Sequence, residues 1–209
     1  MRRILDFSIG EDPDDEDEDT PERNEELAPA AALLRFLKTR TVLLSGPIDK
    51  TLADKVFRQL LMMEMDSADE PITIIVDSPG GDADAGLAIF DMIRFIKPPV
   101  KTLAAGLAAS AAAIIMLAPP KNRRFSLPHA RFLIHQPLSG VRGSATDVAI
   151  QAEAVRKLKD MLNELVSAET GQPLDRVRKD TDRDYWMDAE EAKAYGIISK
   201  VVSKRDELP

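Results

Sequence analysis

The 209-residue sequence predicts an α/β fold with mainly parallel strand pairing. Two observations carry that expectation. Residues 72–76, Ile72-Thr73-Ile74-Ile75-Val76, form a β-branched run of the kind found in strands buried on both faces. Around it and the apolar run at 100–105, segments with helical apolar spacing at 49–65 and 83–96 set up a repeated alternation of strand, turn and helix.

Taken in order, residues 11–19 are acidic at every position except Pro13, so residues 1–27 read as a solvated, disordered tail. A short helix is expected over 29–40, a strand over 41–45 and a helix over 49–65. The strand at 72–76 ends in Asp77-Ser78-Pro79-Gly80-Gly81, a turn that opens the helix over 83–96. A strand at 100–105, a helix at 110–117 and a strand at 131–135 follow. Residues 145–170 read as one long helix ended by Gly171, longer than a crossover requires and free to project. Its Val148, Ala152, Val155, Leu158, Leu162 and Leu165 recur at helical spacing, as a core face or a subunit interface would. Helices at 173–181 and 188–195 precede a last strand at 197–202.

Composition excludes several function classes. The net charge is −8, but residues 1–27 hold 12 acidic and 3 basic side chains, which leaves 25 basic against 24 acidic elsewhere. No basic stripe suited to a nucleic acid remains. Absence of cysteine removes disulfides, thiolate catalysis and zinc–thiolate sites, and with only His129 and His135 a histidine-rich metal site is not expected. There is no P-loop, so ATP is not expected to bind here. No export signal is expected at the N-terminus, and the uncharged run at 102–120 is alanine-rich and bracketed by proline pairs, unlike a membrane span. A cytoplasmic protein without metal or cofactor is expected.

The chemistry centres on Gly106-Leu107-Ala108-Ala109-Ser110-Ala111-Ala112, which places one hydroxyl at a strand-to-helix corner. Helix starts offer free N–H groups that stabilise a negative oxygen. A serine nucleophile also needs a base and a group to orient it. His135, at the end of an apolar strand, and His129, in a loop, are the available imidazoles. Ser78 and Ser139 compete with Ser110 as nucleophiles, and several aspartates between residues 147 and 188 could supply the third group. Gly80 and Gly81 are suited to close backbone approach to a ligand, or simply to a turn.

Four motifs then occur together in order: Ser78-Pro79-Gly80-Gly81, Gly106-x-Ala108-Ala109-Ser110, Ile134-His135-Gln136-Pro137, and Thr170-Gly171-Gln172 with Asp182-Arg183-Asp184. On these the chain resembles the proteolytic subunits of the Clp protease family over about residues 30–202. The resemblance implies a Clp/crotonase-type spiral of βαβ units spanning 28–209, with a projecting handle at about 136–170. It implies Ser110 as nucleophile, His135 as general base and Asp184 as its orienting carboxylate, with the Gly81 and Ala111 N–H groups as oxyanion hole. An extended peptide would lie as an added strand against Gly80, Gly81, Asp82 and Ala83 on one side and Leu138 and Ser139 on the other. Asp182 and Arg183 match a pair linking ring-to-ring contact to the alignment of Asp184. The implied assembly is a homo-oligomer of two heptameric rings that degrades short or unfolded polypeptides in protein quality control, fed by an AAA+ unfoldase.

The sequence departs from the family pattern at four points. Ala111 stands where methionine is usual, and Asp77 where asparagine is. Thr73 and Ile75 replace aromatic residues of the docking pocket, where Phe95 remains, so weaker docking is expected. The acidic tail replaces the usual axial loop segment. Two other readings stay open: a non-catalytic ring subunit, and a crotonase-like acyl-CoA enzyme, which would not need the serine, histidine and aspartate together.

Overall fold

The computed structural model describes residues 35, 36 and 38–209. The expected tail over 1–27 and most of the expected helix over 29–40 lie outside the described residues. All elements below belong to the compact unit Phe36–Pro209.

The unit is a mixed α/β fold on one seven-stranded sheet. Strand β1 (Thr41–Ser45) leads through the Asp49 N-cap, whose carboxylate accepts from Leu52 N–H at 2.7 Å, into α1 (Lys50–Asp66). Then come β2 (Ile72–Ser78), α2 (Ala83–Phe95), β3 (Val100–Ala109) and the short α3 (Ala111–Met116). They are followed by β4 (Arg124–Ser126), β5 (Arg131–Ile134), α4 (Ala145–Thr170), α5 (Leu174–Asp180), β6 (Tyr185–Met187), α6 (Ala189–Tyr195) and β7 (Lys200–Val201). The strand order is β1-β2-β3-β4-β7, with β5 also paired to β3 and β6 to β5. All pairs are parallel except β5 with β6.

One irregularity shapes the functional end of the sheet. Val76 pairs with Ala104 but Ser78 with Ala108, so β3 carries extra residues and bends at Gly106, whose φ is +117°. The first part of β3, Thr102–Ala104, pairs with β4, and the second, Leu107–Ala109, with β5. The Asp77 carboxylate accepts from Leu107 N–H at 3.0 Å and holds the bend.

The core forms where apolar positions of β1, β2 and β3 meet α1, α2 and α3: Val42, Leu44, Ile72, Ile74, Val76, Ile89 and Ile115 are all fully buried. Arg124 is buried with them. It donates to Pro119 O and Glu169 O and pairs with the Glu169 carboxylate, tying the C-terminal end of α4 to the sheet. Burial pushes its guanidinium below the ordinary value, against the opposing pull of Glu169.

Helix α4 starts at a capping box between Ser144 and Asp147 and stops at Gly171, whose φ of +79° is the left-handed value glycine tolerates. Its buried residues, Asn163, Val166 and Thr170, all lie in the last eight positions. The apolar stripe therefore divides: Leu162 and Leu165 pack on the core, while Val148 is 41% exposed. The last strand is only Lys200–Val201 instead of 197–202, because Ile197 and Ile198 follow the left-handed Gly196 cap and are buried outside the strand. Strands β4 and β6 were not expected. Thr73 is nearly buried and Ile75 half-buried, whereas Phe95 is widely exposed.

Candidate active site

Strand register assembles the site. Ala109 pairs with Leu133, and Ile134 pairs antiparallel with Tyr185. The residues next in line, Ser110 after β3, His135 after β5 and Asp184 before β6, therefore converge at one end of the sheet. Ser110 N–H donates to Leu133 O at 2.8 Å, locking the corner. The serine has φ +56° and ψ −121°, outside the regions a side chain ordinarily favours, at an expected cost of roughly 1–3 kcal/mol. That conformation turns its hydroxyl out of the core.

The hydroxyl lies 2.8 Å from His135 Nε2, and His135 Nδ1 lies 3.0 Å from Asp184 Oδ1. A carboxylate only accepts, so Nδ1 carries the proton and Nε2 accepts from Ser110. His135 is 15% exposed and Asp184 63% at the side chain. Such an arrangement can deprotonate the hydroxyl as it attacks a carbonyl carbon. His129 is exposed in a turn and outside the cleft. Ser139 is exposed on the cleft wall, and Ser78 is buried with its hydroxyl engaged, so neither replaces Ser110 beside the imidazole.

The turn after β2 lies against this corner. A Cβ on Gly80 would come within 2.5 Å of Ala109 O and 2.7 Å of Ser110 Cβ, so only glycine fits there. Ile48 N–H donates to Gly80 O and Asp82 N–H to Ile48 O, both at 2.8 Å, and the Ile48 backbone fills the space a Gly81 Cβ would need. These bonds leave the Gly81 N–H without a partner among the described residues, as is the Ala111 N–H at the start of α3. Asp82 caps α2, its carboxylate accepting from Ala85 N–H at 2.7 Å, and Ala83 begins that helix.

A cleft of about 530 Å³ runs from this turn past Ser110 and His135 to Leu138 and Ser139, and its apolar wall includes Leu87, Ile114, Leu158 and Leu162. Ala111 is packed against Gly86, where an added Cβ would lie 2.9 Å away.

Further residues brace the site. Gln136 N–H donates to Thr181 O and its side-chain amide to Asp182 O, both at 2.6 Å, while Lys159 on α4 donates to Gln136 Oε1 at 2.9 Å and pairs with Asp182 at 3.4 Å. Asp182 and Arg183 themselves are exposed. Gln136 stood inside a sequence motif without an assigned task, and Lys159 is one charge among many on a helix face, with no signal to single it out. Among the described residues no group of three histidine, aspartate or glutamate side chains could hold a metal ion, and no helix is long and apolar enough to cross a membrane.

Known proteins resemble this chain over most of its length. The sequence profile described as Clp protease matches residues 24–205. The chain is 54% identical over 179 residues to the ATP-dependent Clp protease proteolytic subunit 2 of Treponema denticola, covering 86% of this chain and 90% of that one. It is also 54% identical over 175 residues to the subunit of the same name from Treponema pallidum, covering 84% and 88%. Among solved structures, a point mutant of ClpP1 from Listeria monocytogenes superposes with a TM-score of 0.79 at 43% identity, over 84% of this chain and 98% of that one.

Proposed function

The chain belongs to the Clp protease family and is a serine-type peptidase subunit of a Clp complex, and from that premise we propose that Ser110, His135 and Asp184 perform its hydrolysis through an acyl-enzyme. What carries the reading is the unbroken line from the Ser110 hydroxyl through the imidazole to the Asp184 carboxylate.

Ser110 Oγ attacks the peptide carbonyl carbon while His135 Nε2 takes its proton. The oxygen that becomes negative is held by the Gly81 and Ala111 N–H groups, which have no other partner among the described residues, at a point where removing one such donor costs about a hundred- to a thousandfold in rate. The tetrahedral species collapses, the C–N bond breaks, and His135 returns the proton to the leaving amine. Water then attacks the ester, its proton passing to His135 and back to Ser110 as the acid product leaves. Asp184 keeps Nδ1 protonated and stabilises the imidazolium throughout.

The substrate backbone lies extended between Gly80, Gly81, Asp82 and Ala83 on one side and Leu138 and Ser139 on the other, so main-chain pairing gives affinity with broad sequence tolerance. Proteins of this family form oligomeric rings and work with Clp ATPases. For this chain we take the assembly to be two stacked heptameric rings, with the α4 region of about 136–170 as handle and Asp182 and Arg183 at the ring contact. The exposed first half of α4, with Ile150 61% exposed, suits such a contact. The substrates are short or unfolded polypeptides, admitted directly or threaded by an AAA+ unfoldase in the cytoplasm.

Labelling tests the assignment. A fluorophosphonate added to the assembled protein should modify the peptide containing Ser110, and Asp184→Asn should slow the modification strongly. Modification elsewhere with Ser110 intact would contradict it.

A further inference from the structure

Ser78 has no part in the proton transfers above, yet it is fully buried beside them. Its hydroxyl has one proton, which it gives to Gly46 O at 2.6 Å. The same oxygen accepts from Gly80 N–H at 3.1 Å. The Ser78 side chain thereby bridges the segment after β1 to the glycine turn.

Three further contacts make this bridge decisive for the turn. Gly46 N–H donates to Asp77 O at 3.1 Å, so the Gly46 and Asp77 segments hold each other. Ile48, two residues after Gly46, grips Gly80 O and Asp82 N–H from the same loop. Gly80 and Gly81 have φ of +87° and +152° and bear no side chains, so nothing intrinsic to them sets the tilt of the peptide plane that carries Gly81 N–H. Ser78 Oγ fixes one side of Gly80, and Ile48 N–H fixes the other.

We propose that Ser78 is the positioning residue of the oxyanion hole, its hydroxyl pinning Gly80 to Gly46 so that Gly81 N–H faces the carbonyl oxygen attacked by Ser110. The inference rests on the acyl-enzyme reading above. Without the pin, Gly46 O and Gly80 N–H lose their side-chain partner, and the Gly80–Gly81 peptide keeps only the Ile48 N–H bond to Gly80 O to set its tilt. A misaimed donor weakens the transition state more than the extended ground-state substrate.

The test uses the assembled full-length protein, a chromogenic peptide and a peptide boronate that mimics the tetrahedral species. Ser78→Ala and the near-isosteric Ser78→Cys are compared with the unmutated protein for assembly, kcat, KM and boronate Ki. The expected result is a fall in kcat of about ten- to a hundredfold for Ser78→Ala, less for Ser78→Cys, with KM within about twofold and boronate Ki rising by the same factor. Should Ser78→Ala fail to assemble, Ser78→Cys decides by the same ratios. An assembled variant with unchanged kcat, or with KM rising while boronate Ki stays fixed, overturns the inference. Ser110→Ala run alongside separates the two readings: residual hydrolysis there contradicts the acyl-enzyme itself, whereas a dead Ser110→Ala beside a fully active Ser78→Ala contradicts only the role of Ser78.

Discussion

The carboxylate of Asp77 occupies the space that a side chain on Gly106 would need: a Cβ there would lie 2.5 Å from Asp77 Oδ1, the same oxygen that accepts from Leu107 N–H. The pair sets the bend by which β3 serves β4 with one half and β5 with the other, and so brings Ser110 beside His135. Gly106→Ala adds a strained φ of +117° to the collision, and a loss of roughly 1–3 kcal/mol is expected from strain alone. Urea unfolding of Gly106→Ala, Asp77→Ala and the double variant checks it. The double variant should lose less than the sum of the singles, by about 0.5–3 kcal/mol, since the residues touch; strict additivity would contradict the contact.

Arg124, 1% exposed, depends on Glu169 for its charge partner. Glu169→Ala strands a buried guanidinium and should cost about 3–5 kcal/mol by denaturant unfolding. Removing the partly exposed partner of the same carboxylate by Arg94→Ala should cost at most about 1 kcal/mol. Equal losses would show that burial does not decide the matter.

The start of α4 should respond to acid. Hydrogen bonds from the Ser144 hydroxyl and N–H hold the Asp147 carboxyl below the usual carboxylate range. A value depressed on folding means the cap stabilises above the unfolded value, about pH 3.9 for aspartate, and is lost as pH falls through the folded one. Amide exchange over residues 145–148 should quicken as pH falls below about 4, relative to the intrinsic rate. Ser144→Ala should be fast already at neutral pH; protection unchanged by that substitution would contradict the cap.

Arg183 neighbours both Asp184 and the exposed Asp182, which Lys159 on α4 and Gln136 in the segment after β5 brace. Arg183→Ala should weaken ring pairing in sedimentation and slow peptide hydrolysis together. Unchanged sedimentation with unchanged activity would refute the link.

Much of this was legible in residues alone. The strand over 41–45 and the helix over 145–170 match β1 and α4 residue for residue, since β-branched runs, caps and the Gly171 stop are local signals. Strands β4 and β6 escaped because three residues such as Arg124-Phe125-Ser126 carry no periodicity, and the charge partner of the buried Arg124, Glu169, is distant in sequence. Ser110, His135 and Asp184 were singled out by the resemblance that the motif order carries, and Ser78 could be set apart from Ser110 only by seeing where its hydroxyl points. Gln136 and Lys159 act through pairing across 23 residues of sequence, which spacing does not reveal.

Ser110 is expected to cleave peptides within an assembly. Hydrolysis of a mixed library of short unfolded peptides by the unmutated protein and by Ser110→Ala, without nucleotide and over a range of protein concentrations, tests it most directly. Cleavage should rise more than proportionally with concentration and disappear in Ser110→Ala. Cleavage that persists in the variant, or an unmutated assembly that cleaves nothing, would contradict it.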